Sequence, residues 1–187
     1  MIRALALLLS ILSGTPALAD SPFPLVAGGP YALTDQRGQI RTQVDPQGHA
    51  QLLFFGYANC PGICSAAMPL MADVVDAMAA RGVPVSPVMI TVDPARDTVA
   101  AMAEPLAKLH PDFVGLTGDA DALAASYAAF NVDHRHIYDD PEYGPVYSHG
   151  SLIYLMDGAG AVLTVMPPVL DPARAADIAW TYLSPRD

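Results

Sequence analysis

A buried strand that runs directly into a helix constrains this chain more than any other feature. Gln51-Leu52-Leu53-Phe54-Phe55-Gly56-Tyr57 carries no charge and reads as the strand. Residues 65–80 read as the helix, stopped by Arg81-Gly82. The turn between them, Asn59-Cys60-Pro61-Gly62-Ile63-Cys64, holds the only two cysteines in 187 residues. Two thiols at a strand-to-helix junction are placed to act on each other or to share a soft metal ion.

The rest of the chain repeats the alternation. Residues 31–34 and 40–43 flank the turn-like Asp35-Gln36-Arg37-Gly38 and predict a short hairpin. Residues 83–92 read as a strand in which Pro87 implies a bulge or an exposed edge position. Asp97-Thr98 starts a helix running to about His110, with a kink expected at Pro105. A short strand at 113–116 and an Ala-rich helix at 119–130 follow, and 131–148 is polar with no period. Residues 151–156 and 161–165 predict a second hairpin about Asp157-Gly158-Ala159-Gly160, and 171–183 a closing helix. This order predicts a three-layer α/β/α sandwich with a mixed central sheet and an added N-terminal hairpin. A cysteine pair after the first long strand is the thioredoxin arrangement. In that fold the loop leading into the late hairpin packs beside the cysteines, and here it contains Tyr147-Ser148-His149-Gly150-Ser151.

Residues 1–19 stand apart. Arg3 supplies a positive start, residues 4–12 an apolar core and Ala17-Leu18-Ala19 the small residues of a cleavage site, so the segment reads as a cleaved signal peptide. The apolar stretch is far shorter than the roughly 20 residues of a bilayer span. The expectation is an exported, soluble, periplasmic protein, with retention of the segment as an anchor the alternative. Residues 20–30 form a Pro/Gly-rich extended arm, and 31–187 a single domain. Without Arg3, 8 basic side chains face 19 acidic ones, a net charge of −11, and Lys108 is the sole lysine. Such a surface repels phosphate backbones and argues against nucleic acid as a partner.

Chemistry narrows the cysteine pair. A disulfide this short closes a tiny loop and adds little restraint to the unfolded chain, which speaks for a reactive pair rather than a staple. With Cys60 at the helix cap and Cys64 in the first turn, the Cα atoms lie about 6 Å apart, inside the disulfide window of roughly 4.4–6.8 Å. Helix N–H groups favour thiolates there. Three intervening residues, one more than dithiol oxidoreductases use, leave room for a metal. Two thiolates and an imidazole make a soft trigonal set that favours copper, whereas structural zinc asks for four protein ligands, so that without a third cysteine it would need a second histidine. His134 and His136, in Asp133-His134-Arg135-His136, read as solvated loop residues, and His49 and His110 as surface residues. Asp93-Pro94-Ala95-Arg96-Asp97-Thr98 reads either as a strand exit with a helix cap or as a buried Asp93–Arg96 pair bracing the cysteine loop.

With these residues in place, the chain resembles the SCO/SenC family of copper-delivery proteins for cytochrome c oxidase. The resemblance rests on Gly29-Pro30-Tyr31-Ala32-Leu33-Thr34-Asp35, on the run from Phe54 to Cys64, on 93–98, on Val114-Gly115-Leu116-Thr117-Gly118 and on 148–157, in family order. It implies a thioredoxin-like fold, one copper ion held by Cys60, Cys64 and His149, and a Cys60–Cys64 disulfide when oxidised. Asp93 and Arg96 would support the site. The implied role is a metallochaperone rather than an enzyme, delivering copper to the binuclear centre of the oxidase's copper-bearing subunit and loaded by another periplasmic copper carrier. A thiol–disulfide oxidoreductase keeping that subunit's cysteines reduced is the rival reading, and a copper or redox sensor a third. Gly62 stands where family members commonly have an acidic residue and Ser65 where they have proline, departures that bear on copper affinity and redox poise.

Overall fold

The computed structural model describes residues 27–58 and 60–185, so the expected signal peptide and most of the arm lie outside the described residues. Nine strands and four helices follow one another among these residues: β1 (Ala32–Asp35), β2 (Ile40–Thr42), β3 (Ala50–Gly56), α1 (Cys64–Ala80), β4 (Val85–Thr91), α2 (Val99–Leu109) and β5 (Val114–Thr117), then α3 (Ala120–Ala129), β6 (Arg135–Asp140), β7 (Gly144–Ser148), β8 (Ile153–Met156), β9 (Val162–Met166) and α4 (Pro172–Leu183). Seven strands make one sheet in the order β2-β1-β5-β4-β3-β8-β9. β3, β4 and β5 are parallel, and β1 and β8 join them antiparallel.

β3 lies at the centre and every one of its residues is buried, as an uncharged run covered on both faces should be. Its alternation divides the core. Phe54 pairs with Met89 and Met89 with Gly115, placing all three on one face. There Gly115 lies against Met102 and Leu106 of α2, and Gly56 against the Cys64 sulfur of α1. Phe55 points the other way, with the rings of Tyr127, Phe130 and Tyr154 at 6.0, 5.4 and 6.1 Å. α4 packs on α1 and buries Ala175, Ala176 and Ala179. Helices thus cover both faces, the thioredoxin-like three-layer arrangement expected. Three helices start with a capping side chain that accepts from the first turn, Thr98, Asp119 and Asp171.

Two expectations need correction. Pro87 sits in a central, buried strand, in register with Leu52 and without a bulge. β5 pairs with β4 only from Val88 onward, so at Pro87 one flank has no strand partner to miss an N–H. The polar stretch 131–148 is not a loop. β6 and β7 pair antiparallel into a separate two-stranded ribbon, with a register shift between His136 and Tyr138.

Candidate metal centre

Parallel β3 and β4 release their loops side by side at their carboxyl ends, the usual place for function in such sheets. β8 runs antiparallel to β3, with Tyr154 opposite Leu53, and so starts at that same end. Residues 57–58, 60–64, 93–97 and 147–150 therefore meet although far apart in sequence. An open cleft there has Tyr57, Cys60, Ile63, Tyr138, Tyr147 and His149 in its wall.

The Nε2 atom of His149 lies 3.8 Å from the Cys60 sulfur and 3.5 Å from the Cys64 sulfur. All three donor atoms fall within 4.8 Å of one another. Nδ1 of His149 donates to the Gly150 carbonyl at 2.9 Å, which leaves the Nε2 lone pair facing the sulfurs, the tautomer a ligand needs. The rings of Phe54 and Tyr57 meet the imidazole edge-on at 5.7 and 5.8 Å. Metal–sulfur and metal–nitrogen bonds of about 2.0–2.3 Å put the donors of a trigonal site roughly 3.5–4 Å apart. The donor set fits a soft ion in both chemistry and spacing.

Both cysteines are free thiols, Cys60 half-buried and Cys64 buried. The expectation that Cys60 caps the helix is not met: α1 begins at Cys64 with Ile63 as its cap, and Cys60 lies in the preceding turn. The helix start still acts on it. The Cys64 thiol donates to the Cys60 sulfur and lowers its pKa to about 4, against the opposing effect of burial and with the Cys64 and Gly62 backbone N–H groups adding to it. The same bond, together with burial, pushes Cys64 upward, so the pair holds one proton between two sulfurs. Tyr57, whose phenol lies against Cys60, is raised to about 12, chiefly by burial.

The supports differ from those expected. Asp93 and Arg96 do pair, Arg96 Nε donating to the carboxylate. The guanidinium, however, reaches the β6–β7 turn through the carbonyls of Tyr143 and of Pro145, the latter at 2.8 Å. It therefore braces the strand that leads to His149, while also lying over the Tyr57 ring at the start of the cysteine segment. Asp97 braces that loop: its carboxylate accepts from the Ala58 N–H at 3.1 Å and the Thr91 hydroxyl at 2.7 Å. Burial raises the Asp97 pKa. The sequence marks Asp97 only as part of a helix start and gives Tyr57 and Tyr147 no role of their own, although Tyr57 lies in the run that carries the cysteines and Tyr147 in the loop that carries His149. Tyr57 accepts from the Tyr147 N–H at 3.3 Å and meets its ring edge-on at 5.6 Å. His134 lies against Tyr127 at 4.4 Å, and His136 bonds Asp139 at 3.1 Å, so neither joins the donor cluster. His110 is not a free surface residue: it sits largely covered between Asp76 and the Asp112 N–H. Among the described residues no helix is long and apolar enough to cross a membrane.

Residues 19–184 match the family SCO1/SenC. A SCO2-like protein of Rickettsia conorii is 35% identical over 139 residues, 73% of this chain and 67% of that protein. The mitochondrial SCO2 homolog of Bos taurus is 38% identical over 137 residues, 72% of this chain and 52% of that protein, so the chain spans about half of its length. Among solved structures, Bradyrhizobium japonicum ScoI with copper bound aligns at a TM-score of 0.73 and 33% identity, covering 84% of this chain and 99% of that one. Yeast Sco1 with copper bound aligns at a TM-score of 0.77 and 26% identity, over 86% of this chain and 90% of that one.

Proposed function

The chain belongs to the SCO1/SenC family, and from that premise we propose that it carries one copper ion on Cys60, Cys64 and His149 during cytochrome c oxidase assembly. The observation that carries the reading is the convergence of two sulfurs and an imidazole nitrogen within 4.8 Å, with the other ring nitrogen already committed to Gly150. Copper is cargo here. The acidic Cys60 supplies a thiolate at neutral pH, and binding displaces the remaining proton from Cys64. Soft donors of a recipient then exchange for these ligands at the cleft. In this reading residues 1–19 direct export and are removed, residues 31–187 work in the periplasm, a second copper carrier supplies the ion, and the copper-bearing oxidase subunit receives it at its binuclear centre.

Anaerobic Cu(I) titration of the reduced protein, followed by absorption and metal analysis, tests the reading. One copper per chain is expected, lost in Cys60→Ser or Cys64→Ser and strongly weakened in His149→Ala. Reduced wild-type protein that retains no copper would defeat it. The free, proton-sharing thiols also favour a second reading, in which the pair cycles to a disulfide and keeps a partner's cysteines reduced. That activity survives His149→Ala, whereas copper carriage does not.

A further inference from the structure

β7 delivers His149, yet β6 and β7 form a ribbon with no strand partner in the main sheet among the described residues. All of β6 but its last residue is exposed and β7 is only half-buried. An imidazole on so loosely packed a support needs a fixed point, because a metal site weakens steeply when its ligands are not held in place.

One side chain supplies most of that fixing. The Arg96 guanidinium donates at once to Asp93 and to the carbonyls of Tyr143 and Pro145, which flank Gly144. Its carbon lies 5.7 Å from the Tyr57 ring centre, and Tyr57 in turn holds the Tyr147 N–H and the His149 ring. Gly144 is shaped to this contact. Its φ of +73° favours glycine, and a Cβ there would stand 2.7 Å from Arg96 Nη1. Asp93 is 1% exposed, so the guanidinium cannot leave without stranding a buried charge. The anchor is firm on the β4 side and grips the ribbon at its turn, five residues before His149.

Resting on the copper-site reading above, we infer that Arg96, seated by Asp93 and admitted by Gly144, is the positioning residue for His149. It spans three acceptors from two segments, which the fork of an arginine can do and the single ammonium of a lysine cannot. It touches neither sulfur, so its effect on the metal passes through the imidazole.

A double-mutant cycle on the full chain, read as Cu(I) affinity against a chromogenic chelator, tests this. Arg96→Ala in the wild-type background is expected to weaken binding by about 10–100-fold, the usual cost of losing an outer support of a ligand. In the His149→Ala background the same change is expected to cost no more than about twofold. Arg96→Lys keeps a cation beside Asp93 and guards against a variant that merely fails to fold; it and Gly144→Ala should move affinity in the same direction. The Cu(I)-induced shift of the His149 Nε2 resonance should shrink in both, which a general loss of stability would not produce. Equal losses in the two backgrounds, or Arg96 variants that bind as the wild type, would overturn the inference while leaving the copper site standing. If His149→Ala itself binds copper as tightly as the wild type, the ligand set is wrong and the positioning role falls with it.

Discussion

The cysteine arm and the histidine arm of this site stand on unlike foundations. Cys64 opens a helix packed on the fully buried β3, whereas His149 leaves a ribbon whose side chains lie largely at the surface. The Cys64 sulfur inherits the rigidity of the sheet, and the imidazole depends on a few polar contacts from Arg96 and Tyr57. A site built this way keeps the Cys64 donor fixed and lets the imidazole be tuned without disturbing the core. The family-typical cysteine run and the late histidine are thus mechanically separate parts.

The contrast can be broken most forcefully from the core. Phe55→Ala removes the ring that Tyr127, Phe130 and Tyr154 surround and should cost about 3–5 kcal/mol in denaturant unfolding. An intermediate effect is expected where the cysteine loop is pinned. Asp97→Ala strands the Ala58 N–H and the Thr91 hydroxyl and should cost about 1–3 kcal/mol. Asp97 also sets a pH dependence. Its native pKa is raised by burial above the ordinary 3.8, so the native state holds a proton that the unfolded chain has released. Stability is therefore fully present below 3.8 and falls as pH rises through the raised native value. Asp97→Asn should flatten that segment of a melting-temperature profile, and an unchanged slope would show that another group is responsible. The smallest effect belongs to the ribbon: Ile137→Ser and Tyr138→Ser, at side chains 54% and 51% exposed, should shift stability by no more than about 0.5 kcal/mol. Amide exchange should sharpen the comparison, with β6 and β7 opening far more readily than β3.

What was readable from the amino acids follows the same division. β3, α1 and the pair of hairpins announce themselves through local pattern, because continuous or alternating apolar residues report burial directly. The ribbon does not. Arg135-His136-Ile137-Tyr138-Asp139-Asp140 has no buried face to impose alternation, and it pairs only with β7, whose turn is gripped by Arg96 from 47 residues earlier in the sequence. His149 was reachable only through the element order and the resemblance, since nothing around it marks a ligand locally. The Asp93–Arg96 pair is legible from its spacing, but its further grip on the β6–β7 turn is not, for sequence spacing shows that two charges can meet but not which third segment they reach. Asp97 was hidden because Thr98 performs the capping task that its neighbourhood suggests. Pro87 misled because the β5 ladder happens to begin one residue later.

The two sulfurs differ in reach as well as in acidity. Cys64 is 3% exposed, its sulfur resting against the bare backbone of Gly56, where a methyl group would come within 3.0 Å. Cys60 forms part of the cleft wall. Of the two sulfurs, Cys60 is therefore the one an incoming nucleophile or acceptor reaches first. On the proposed copper-carrying role, handover would run from the outer sulfur inward.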